Sequence, residues 1–340
     1  MIDRVLIVGF GSAGHRHLKI ARDLIPNADI RIYRHQSSSE IPKLANGLFT
    51  DIQEAIDFSP HLAVIACPAP FHISIAQALV EKGTHLLVEK PLSHSASGVK
   101  YFLDLCKNTN IVLLIGYNLR FFESLQFFRK AIKEGVIVKL ISFRCEVGQH
   151  LPSWRTDRNY RESVSAQKKL GGGCLLELSH ELDYINWIFG EIEWVSGIIS
   201  CQSNLDIDVE DTAHVTFGLK PSEDGFQLIG VVNLDFIRQD TTRYCLAIGE
   251  KGTLRWDGIT GEVMLFEKSK KNWDLLLACP DEVNTSYIME WKYLLNCIEE
   301  KKQNFNSGED GLKVLEIIDA VRESSLNEKK FFLKNKQAWS

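Results

Sequence analysis

A glycine-rich turn near the N-terminus constrains the fold of this chain more than any other feature of the sequence. It follows an apolar run at residues 5–8 and precedes an amphipathic stretch at residues 15–24. Strand, turn and helix in this order form the unit that binds the pyrophosphate of a dinucleotide, because glycines let the backbone turn tightly and approach the phosphates. A plain turn between a strand and a helix is the alternative. We predict that the cofactor is bound by Gly9, Gly11, Ser12, Ala13 and Gly14.

Short apolar runs alternate with amphipathic stretches along the first 120 residues. The runs at 5–8, 30–33, 62–66, 86–88 and 111–115 are predicted strands, and residues 15–24 and 73–82 are predicted helices. This alternation is typical of a parallel sheet that is covered by helices on both faces. Residues 1–120 are therefore predicted to form a Rossmann domain, a doubly wound parallel sheet.

The pattern changes after residue 120. A predicted helix at 121–134 leads into longer strands at 141–147, 194–200, 213–219, 227–236, 244–248, 252–256 and 263–266, and further helices are predicted at 175–189, 287–300 and 308–325. Alternating strands indicate a mostly antiparallel sheet with one face in water. The fold class is thus α/β, with a second, α+β domain at 121–340 that contains a mostly antiparallel sheet. Whether the C-terminal helix packs back on the first domain is left open.

The composition is that of an ordinary globular protein and argues against several kinds of partner. With a formal net charge of -5 over 340 residues, the chain has no general attraction for nucleic acid or anionic lipid. No apolar run reaches the ~18 residues of a membrane span, and the N-terminus lacks the apolar core of an export signal. The eight cysteines form no CxxC pair. We predict a cytoplasmic protein that binds no metal, no membrane and no nucleic acid.

The end of the second predicted strand bears on the choice of cofactor. A carboxylate about 20 residues after the glycine turn normally binds the adenosine ribose of NAD. This chain has Arg34 there, followed by hydroxyl-bearing residues, and no carboxylate until Glu40. An arginine suits the 2′-phosphate of NADP. The sequence therefore favours NADP over NAD as the cofactor, and Arg34 as a solvated strand end is the alternative.

Several other segments combine with the glycine turn into one pattern. They are Ile-Ala-Cys-Pro-Ala-Pro-Phe-His at 65–72, Val-Glu-Lys-Pro-Leu at 88–92, Gly-Tyr-Asn-Leu-Arg-Phe at 116–121, Gly-Gly-Gly at 171–173 and Ser-Gly-Glu-Asp-Gly at 307–311. Over nearly its whole length the chain thus resembles the Gfo/Idh/MocA (glucose–fructose oxidoreductase / inositol dehydrogenase) family. The resemblance implies hydride transfer between a nicotinamide and a hydroxyl or keto carbon of a sugar, sugar nucleotide or cyclitol. It also implies that the second domain is built on a large open sheet that serves substrate binding and oligomerisation. Through this C-terminal sheet the chain would assemble into a homodimer or homotetramer.

The Glu-Lys-Pro motif supplies the first catalytic candidate. Lys90 matches the lysine of this motif, and an ammonium at the C-terminal end of a strand can stabilise an alkoxide as the hydride leaves. A surface lysine is the alternative. His72 is also open to a packing role at a helix start. The resemblance implies that the first domain contacts the cofactor through Cys67, Pro68, His72, Glu89, Lys90 and Asn118.

The predicted helix after the triple glycine supplies the second candidate. Family members carry an Asp and then a His four positions later, whereas here Glu177 is followed by His180 three positions later. Both spacings place the side chains on one face of a helix. His180 is therefore predicted to be the acid–base residue, oriented by Glu177 or Asp183. The alternatives are that Glu181 does this work and that His180 is structural.

A loop ahead of this helix is the candidate substrate lid. It contains Leu-Pro-Ser-Trp-Arg at 151–155 and Asn-Tyr-Arg-Glu-Ser at 159–163. Together with Glu-Leu-Ser-His-Glu-Leu-Asp-Tyr at 177–184, these segments look like a subgroup associated with surface-sugar biosynthesis. Arginines suit the phosphates of a nucleotide sugar and aromatic rings stack on sugars, but a solvated charged loop has the same composition. Tyr184 is also open to a place in the core. The predicted substrate-binding residues are Arg120, Trp154, Arg155, Tyr160, Arg161, Glu181, Asp183 and Tyr184.

Two other functions are compatible with a dinucleotide-binding chain of this kind. One is a glycosidase that uses bound NAD to oxidise and then re-reduce its substrate. The other is a non-catalytic regulator that senses the dinucleotide, and Lys90 together with a helix histidine argues against it. The leading interpretation is an NAD(P)-dependent dehydrogenase or reductase that acts on CH–OH groups.

Overall fold

The computed structural model of the chain describes residues 2–35, 40–154, 156, 159–280, 282, 284–302 and 305–333. The elements up to residue 118 are β1 (Arg4–Val8), α1 (Ser12–Leu24), β2 (Asp29–Tyr33), β3 (Gly47–Phe49), α2 (Ile52–Asp57), β4 (Leu62–Ile65), α3 (His72–Val80), β5 (His85–Glu89), α4 (Val99–Asn108) and β6 (Leu113–Gly116). The elements that follow are α5 (Glu123–Lys133), β7 (Leu140–Gly148), α6 (Cys174–Glu177), α7 (His180–Phe189), β8 (Ile192–Ser200), β9 (Thr212–Leu219), β10 (Ile229–Asp235), β11 (Thr242–Gly249), β12 (Gly252–Asp257), β13 (Glu262–Glu267), β14 (Asn272–Ala278), α8 (Thr285–Glu300), α9 (Gly308–Leu326) and β15 (Phe331–Phe332). Among these described residues, no helix is long and apolar enough to cross a membrane.

The chain forms two compact units, and the first is built on a six-stranded parallel sheet. The first unit comprises residues 1–118 and 284–315, and the second comprises residues 119–283 and 316–340. The strand order of the first sheet is β3-β2-β1-β4-β5-β6, and all neighbours run parallel. Every residue of β4 is buried, which requires cover on both faces of the sheet. This strand order is that of a dinucleotide-binding fold, so the predicted Rossmann architecture is confirmed.

Part of the C-terminal sequence belongs to the core of the first unit. Trp291 and Leu294 of α8 lie in one apolar cluster with Leu18 of α1 and with Val5 and Ile7 of β1, and none of the five is more than 3% exposed. A helix from the far end of the chain therefore covers the first strands of the sheet. The predicted division into two independent domains after residue 120 stays a prediction.

The second unit is built on a nine-stranded, mostly antiparallel sheet. Its strand order is β14-β13-β12-β11-β7-β10-β9-β8-β15, and of the described strand pairs in this sheet only β7 and β10 run parallel. Phe143 and Cys145 of β7 are buried, whereas Ser142 and Arg144 beside them are not. This alternation is what a sheet with one covered face requires, and the predicted fold class is confirmed.

The prediction of a single helix at residues 175–189 is wrong in one respect, because the structure has two helices in this segment. α6 ends at Glu177 and α7 begins at His180. The start of α6 is held by Glu210, whose backbone oxygen accepts from the N–H of Cys174 (3.1 Å) and whose Oε1 accepts from that of Leu175 (3.2 Å). Glu177 and His180 thus do not share one helix. The argument that their spacing places them on one helical face does not apply.

Candidate functional site

The glycine turn between β1 and α1 is shaped by two close backbone contacts. Gly9 has a φ of +91°, and a Cβ on it would stand 2.7 Å from the carbonyl oxygen of Ala66 in the loop after β4. A Cβ on Gly14 would overlap the carbonyl oxygen of Gly9. Glycine at these two positions therefore lets α1 and the turn pack closely against the sheet.

The start of α1 is open for an anion. A Cβ on Gly11 would meet nothing within 4 Å, and the first turn of α1 carries no acidic residue. The N–H groups of Ser12 and Ala13 lie in that first turn, where a helix offers unpaired donors and a partial positive charge. These residues fit the pyrophosphate of a dinucleotide, which would approach the backbone at Gly11.

Arg34 is the first residue after β2. Its backbone N–H donates to the carbonyl oxygen of Phe49 (3.2 Å), and its Nη2 donates to the carbonyl oxygen of Glu40 (3.1 Å). An arginine thus stands where the ribose-binding carboxylate of an NAD site would stand. The hydroxyl-bearing residues that the sequence places after Arg34, at 37–39, lie outside the described residues.

β5 ends at Glu89, whose carboxylate is tied to two neighbours. Its Oε1 accepts a hydrogen bond from Nε2 of His17 (2.9 Å), and its Oε2 accepts one from the backbone N–H of Lys90 (3.2 Å). Burial by itself would raise the pKa of Glu89, but the hydrogen bond from His17 and the charges of Lys90 and Arg16 outweigh it and lower this pKa. Glu89 is therefore a carboxylate at neutral pH, directly before the lysine of the motif.

The loop after β4 and the start of α3 contain three more of the predicted cofactor residues. Burial raises the pKa of the Cys67 thiol to about 12, so this side chain stays protonated. Pro68 leads into the 3-10 turn Ala69–Phe71. His72 is buried, and its ring nitrogens face the carbonyl oxygens of Cys67 (2.7 Å) and Pro91 (3.0 Å). His72 is thus packed between two loops of the backbone.

Asn118 is the last residue of the N-terminal segment of the first unit. Its Nδ2 donates to Oγ of Ser286 at 2.9 Å, and both side chains are buried. The contact joins the end of the segment after β6 to the first turn of α8.

In the second unit, Glu177 is the last residue of α6 and His180 is the first residue of α7. Oε2 of Glu177 accepts a hydrogen bond from Oγ of Ser165 at 2.7 Å. His180 is half-buried. The two side chains are therefore carried by separate helices with a two-residue break between them.

Two carboxylates of α7 that the sequence assigned to substrate form ion pairs with arginines. Asp183 accepts from Nε and Nη2 of Arg120 at 2.9 and 2.7 Å, and both side chains are at most 2% exposed. Glu181 is fully buried and accepts from Nε of Arg243 at 2.8 Å. These pairs attach α7 to the turn that carries Arg120 and to β11.

Tyr184 is a core residue. It is fully buried, and its ring stands edge-on to that of Trp256 with 5.6 Å between the centroids. The structure supports the alternative that Tyr184 packs in the core, because its ring is shared between α7 and β12.

The candidate substrate lid is attached to its own unit. Nε1 of Trp154 donates to the carbonyl oxygen of Gln149 (3.1 Å). Tyr160 accepts on its hydroxyl from the N–H of Asp206 (3.2 Å), and Nε of Arg161 donates to Oδ2 of Asp206 (2.8 Å). Arg155 lies outside the described residues. Nowhere in the described ranges do three or more His, Cys, Asp or Glu side chains group so as to hold a metal ion.

The sequence matches both domains of one protein family. Residues 4–117 match the NAD-binding Rossmann fold of the Gfo/Idh/MocA oxidoreductases, and residues 129–331 match their C-terminal α/β domain. The chain belongs to the Gfo/Idh/MocA oxidoreductase family. The resemblance drawn from the motifs is thereby confirmed.

Three curated relatives illustrate the range of this family. The myo-inositol 2-dehydrogenase of Thermotoga maritima is 26% identical over 345 residues, covering 96% of this chain and 97% of that protein. The levoglucosan dehydrogenase of Pseudarthrobacter phenanthrenivorans is 34% identical over 142 residues, 41% of this chain and 36% of that protein. The 2,7-anhydro-N-acetylneuraminate hydratase of Escherichia coli is 30% identical over 129 residues, 38% of this chain and 33% of that protein. In the last two matches the chain thus spans about a third of the relative's length.

Solved structures share the fold over the whole chain. Levoglucosan dehydrogenase in complex with NADH and levoglucosan has a TM-score of 0.80 at 23% identity, covering 97% of this chain and 98% of its own. The WlbA dehydrogenase from Bordetella pertussis, in complex with NADH and UDP-GlcNAcA, has a TM-score of 0.79 at 19% identity, covering 98% and 99%. At these identities the likeness establishes the common fold.

Three residues that contact the predicted site residues, directly or through another side chain, were not predicted from the sequence. His17 contacts Glu89, Trp291 contacts His17, and Arg243 contacts Glu181. A histidine on the buried face of α1 is a local signal that could have singled out His17. Trp291 and Arg243 meet their partners across 274 and 62 residues of sequence, so no local pattern identifies them.

Glu290 of α8 is a further residue that the sequence did not single out. It is 0% exposed, and neither of its carboxyl oxygens has a hydrogen-bond partner among the described residues. Burial raises the pKa of Glu290 well above its usual range, and the negative charge of Glu89 raises it further. Glu290 is therefore protonated under conditions in which Glu89 is ionised.

Proposed function

We propose that the protein is an NAD(P)-dependent dehydrogenase or reductase that acts on a CH–OH group of a carbohydrate-like substrate. The observation that carries this proposal is the glycine turn that opens onto α1, in a chain that matches both domains of an oxidoreductase family. The names of the relatives, which include an inositol and a levoglucosan dehydrogenase, support a sugar, sugar nucleotide or cyclitol as substrate.

Lys90 is the proposed catalytic residue of the first unit. When bound, the nicotinamide supplies the hydride acceptor or donor. The ammonium of Lys90 donates a hydrogen bond to the reacting oxygen and stabilises the negative charge that develops there as the C–H bond breaks. The ionised carboxylate of Glu89 holds the backbone N–H of Lys90 beside it.

His180 is the proposed acid–base residue of the second unit, with Glu177 of the preceding helix as the residue that orients it. A neutral imidazole takes the hydroxyl proton during oxidation and returns it during reduction. Glu181 is the weaker alternative, because its buried carboxylate already accepts from Arg243 and would leave that guanidinium unpaired on protonation.

The proposed cofactor contacts are those predicted from the sequence, with NADP favoured over NAD because Arg34 replaces the usual carboxylate after β2. Substrate contacts are proposed for the lid residues Trp154, Arg155, Tyr160 and Arg161. Arg120, Asp183 and Tyr184 are buried, so we assign them to shaping the second unit behind α7.

Two further proposals concern the protein as a whole. We propose a cytoplasmic location. It is supported by Cys145 and Cys245, which form no disulfide although their sulfurs approach to 3.3 Å. We also propose a homodimer or homotetramer that assembles through the open face of the nine-stranded sheet.

Substitution of Lys90 tests the proposed reaction. NADH and NADPH are first compared by thermal shift, and levoglucosan, myo-inositol and UDP-GlcNAcA are then assayed for oxidation. Lys90→Met should reduce kcat about 100- to 1,000-fold, because one donor to the developing charge is lost, while the Kd of the dinucleotide stays within about twofold. Lys82→Met, an exposed lysine after α3, is the matched control. Unchanged turnover in Lys90→Met, or no stabilisation by either dinucleotide, would exclude the proposal.

A redox-neutral reaction is the second candidate, and the hydratase among the relatives is the observation that favours it. In such a reaction the substrate is oxidised and re-reduced by the same nicotinamide. The purified protein would then retain its dinucleotide and convert 2,7-anhydro-N-acetylneuraminate with no net change in nicotinamide absorbance. If a substrate is oxidised with formation of one equivalent of reduced cofactor, the redox-neutral reaction is excluded for that substrate.

A further inference from the structure

A chain of three hydrogen bonds leads from α8 to the backbone of the catalytic lysine. Nε1 of Trp291 donates to Nδ1 of His17 at 2.8 Å, Nε2 of His17 donates to Oε1 of Glu89 at 2.9 Å, and the N–H of Lys90 donates to Oε2 of Glu89 at 3.2 Å. His17 and Trp291 are 0% exposed. The chain lies entirely within the first unit.

The direction of these bonds fixes the state of His17. An indole nitrogen can only donate, so Nδ1 of His17 must accept and carries no proton. The ring proton is then on Nε2, where it is donated to Glu89. Trp291 thereby selects the one neutral tautomer of His17 that holds the carboxylate of Glu89.

The surroundings of Glu89 keep it both ionised and in place. Lys90 and Arg16 provide the positive charges that favour its carboxylate form, and the protonated Glu290 faces it from α8. Gly116 on the neighbouring strand β6 leaves room for the carboxylate of Glu89, because a Cβ at position 116 would stand 3.2 Å from Oε2 of Glu89. The carboxylate is thus confined to the position in which it accepts from Lys90.

Pro91, the residue after Lys90, contacts a second buried histidine, His72. Nδ1 of His72 faces the carbonyl oxygen of Pro91 at 3.0 Å, while its Nε2 faces the carbonyl oxygen of Cys67 at 2.7 Å. His72 is 1% exposed. A buried histidine therefore flanks Lys90 on each side, one through Glu89 and one through Pro91.

We propose that His17, oriented by Trp291, is a positioning residue for Lys90 that acts through the carboxylate of Glu89. The inference rests on the proposed function, in which the ammonium of Lys90 meets the reacting oxygen. Loss of the His17–Glu89 bond removes one of the two hydrogen bonds that hold the carboxylate against the backbone N–H of Lys90. A misplacement of about 1 Å at a reacting group can cost about 100-fold in rate.

Two substitutions of His17 separate positioning from general stability. His17→Leu removes both hydrogen bonds at similar volume, whereas His17→Gln keeps an acceptor for Trp291 and a donor for Glu89. His85→Leu is the matched control, because His85 is a half-buried histidine at the start of β5, the strand that ends at Glu89, and its Nδ1 accepts from the N–H of Val112. Trp291→Phe is a second route, since it removes the donor that selects the tautomer.

Two readouts do not depend on turnover. In the wild type, NMR should show an unprotonated Nδ1 and a protonated Nε2 on His17. In His17→Leu, hydrogen exchange of the Lys90 amide should accelerate at least about tenfold, and in His17→Gln it should return to near the wild-type rate. A protonated Nδ1 in the wild type, or an unchanged Lys90 amide in a folded His17→Leu, would overturn the inference.

Kinetics on the active compound of the panel give the third readout. We expect kcat to fall about 10- to 100-fold in His17→Leu and several-fold in Trp291→Phe. The kcat of His17→Gln should stay within about fivefold of the wild-type value. In all three variants the Kd of the dinucleotide should stay within about twofold of wild type. His85→Leu should lower stability and leave kcat unchanged. If Lys90→Met loses turnover but His17→Leu does not, the proposed positioning role of His17 is wrong and the proposed function stands. If Lys90→Met retains turnover, the proposed function fails whatever the His17 variants do.

Discussion

Two buried glutamates of the first unit hold opposite charge states because their partners differ. Glu89 receives hydrogen bonds from His17 and from the backbone of Lys90, and positive charges favour its ionised form. Glu290 has no such donors among the described residues, and the charge of Glu89 adds to the effect of burial. The contacts of each carboxyl group therefore decide its protonation.

Glu290→Gln should change the pH dependence of stability. The raised pKa of Glu290 means that the folded state keeps a proton which the unfolded chain loses, so wild-type stability falls as pH rises above the usual glutamate pKa. A glutamine lacks this dependence. The melting temperature of the variant relative to wild type should therefore increase as the pH rises above the usual glutamate pKa, with a free-energy slope of up to ~1.4 kcal/mol per pH unit. Glu250→Gln, at an exposed position, is the control. A difference that is constant with pH would contradict the assignment.

Arg34→Asp should change the cofactor preference. Loss of a charge-assisted hydrogen bond to the 2′-phosphate, together with the new negative charge, should raise the Kd of NADPH about 10- to 100-fold. The Kd of NADH should change by no more than about threefold, because that cofactor has no phosphate there. Isothermal titration with both dinucleotides measures the two values, with Lys43→Asp as an exposed control. Equal losses for both would refute the assignment of Arg34 to the 2′-phosphate.

At the scale of elements, the position of α7 is set by ion pairs and not by continuity with α6. Arg120 and Asp183 are buried together, and Glu181 is paired with Arg243 of β11. The break at residues 178–179 allows α7 to follow these contacts while α6 stays on Glu210. His180, as the first residue of α7, takes its place from this arrangement.

Asp183→Ala should therefore be strongly destabilising. Removal of one partner leaves the guanidinium of Arg120 buried without its carboxylate, which typically costs about 3–5 kcal/mol. Urea denaturation of the second unit's signal measures this loss. Asp206→Ala removes the partner of Arg161 in an exposed ion pair and should change stability little. Similar losses in the two variants would show that burial of the Arg120–Asp183 pair does not decide its contribution.

At the scale of the whole molecule, the proposed self-association would use the half-exposed face of the nine-stranded sheet. Strand pairing aligns six residues in one row across β10, β7, β11, β12, β13 and β14, and in this order they are Ile229, Ser142, Ile248, Thr253, Phe266 and Trp273. Ile229 is 45% exposed and Trp273 is 39% exposed. Four of the six side chains are apolar, and Ser142 and Thr253 between them are small. Exposed apolar side chains that are grouped on a surface are typical of protein–protein contacts, and we propose that a second copy of the chain covers this row.

Ile229→Glu should lower the molar mass in solution. A charge in this row cannot be buried without a partner, so the proposed oligomer should dissociate while the secondary structure is kept. Light scattering after size exclusion measures the mass. Ile259→Glu, at a 53% exposed residue in the turn after β12, is the control. A monomeric wild type, or a variant with the wild-type mass, would refute assembly through this face.

Features that depend on neighbours in sequence could be predicted without the structure. The spacing of Gly9, Gly11 and Gly14 after an apolar strand predicted the turn, and the change from continuous to alternating apolar strands predicted a parallel and then an antiparallel sheet. These patterns are local because a strand or a helix buries one face of its own residues. β14 escaped prediction because its residues are largely exposed and show no clean alternation.

The sequence by itself thus determined the two sheets, the dinucleotide turn and the family. Only the tertiary structure decided that α8 completes the core of the first unit, that the helix after the triple glycine is broken before His180, and that Trp291 reaches His17 behind Lys90. The physical reason is separation along the chain. Hydrogen bonds and ion pairs such as Trp291–His17 and Arg243–Glu181 form between residues whose proximity is set by packing, and packing leaves no periodic pattern at either residue.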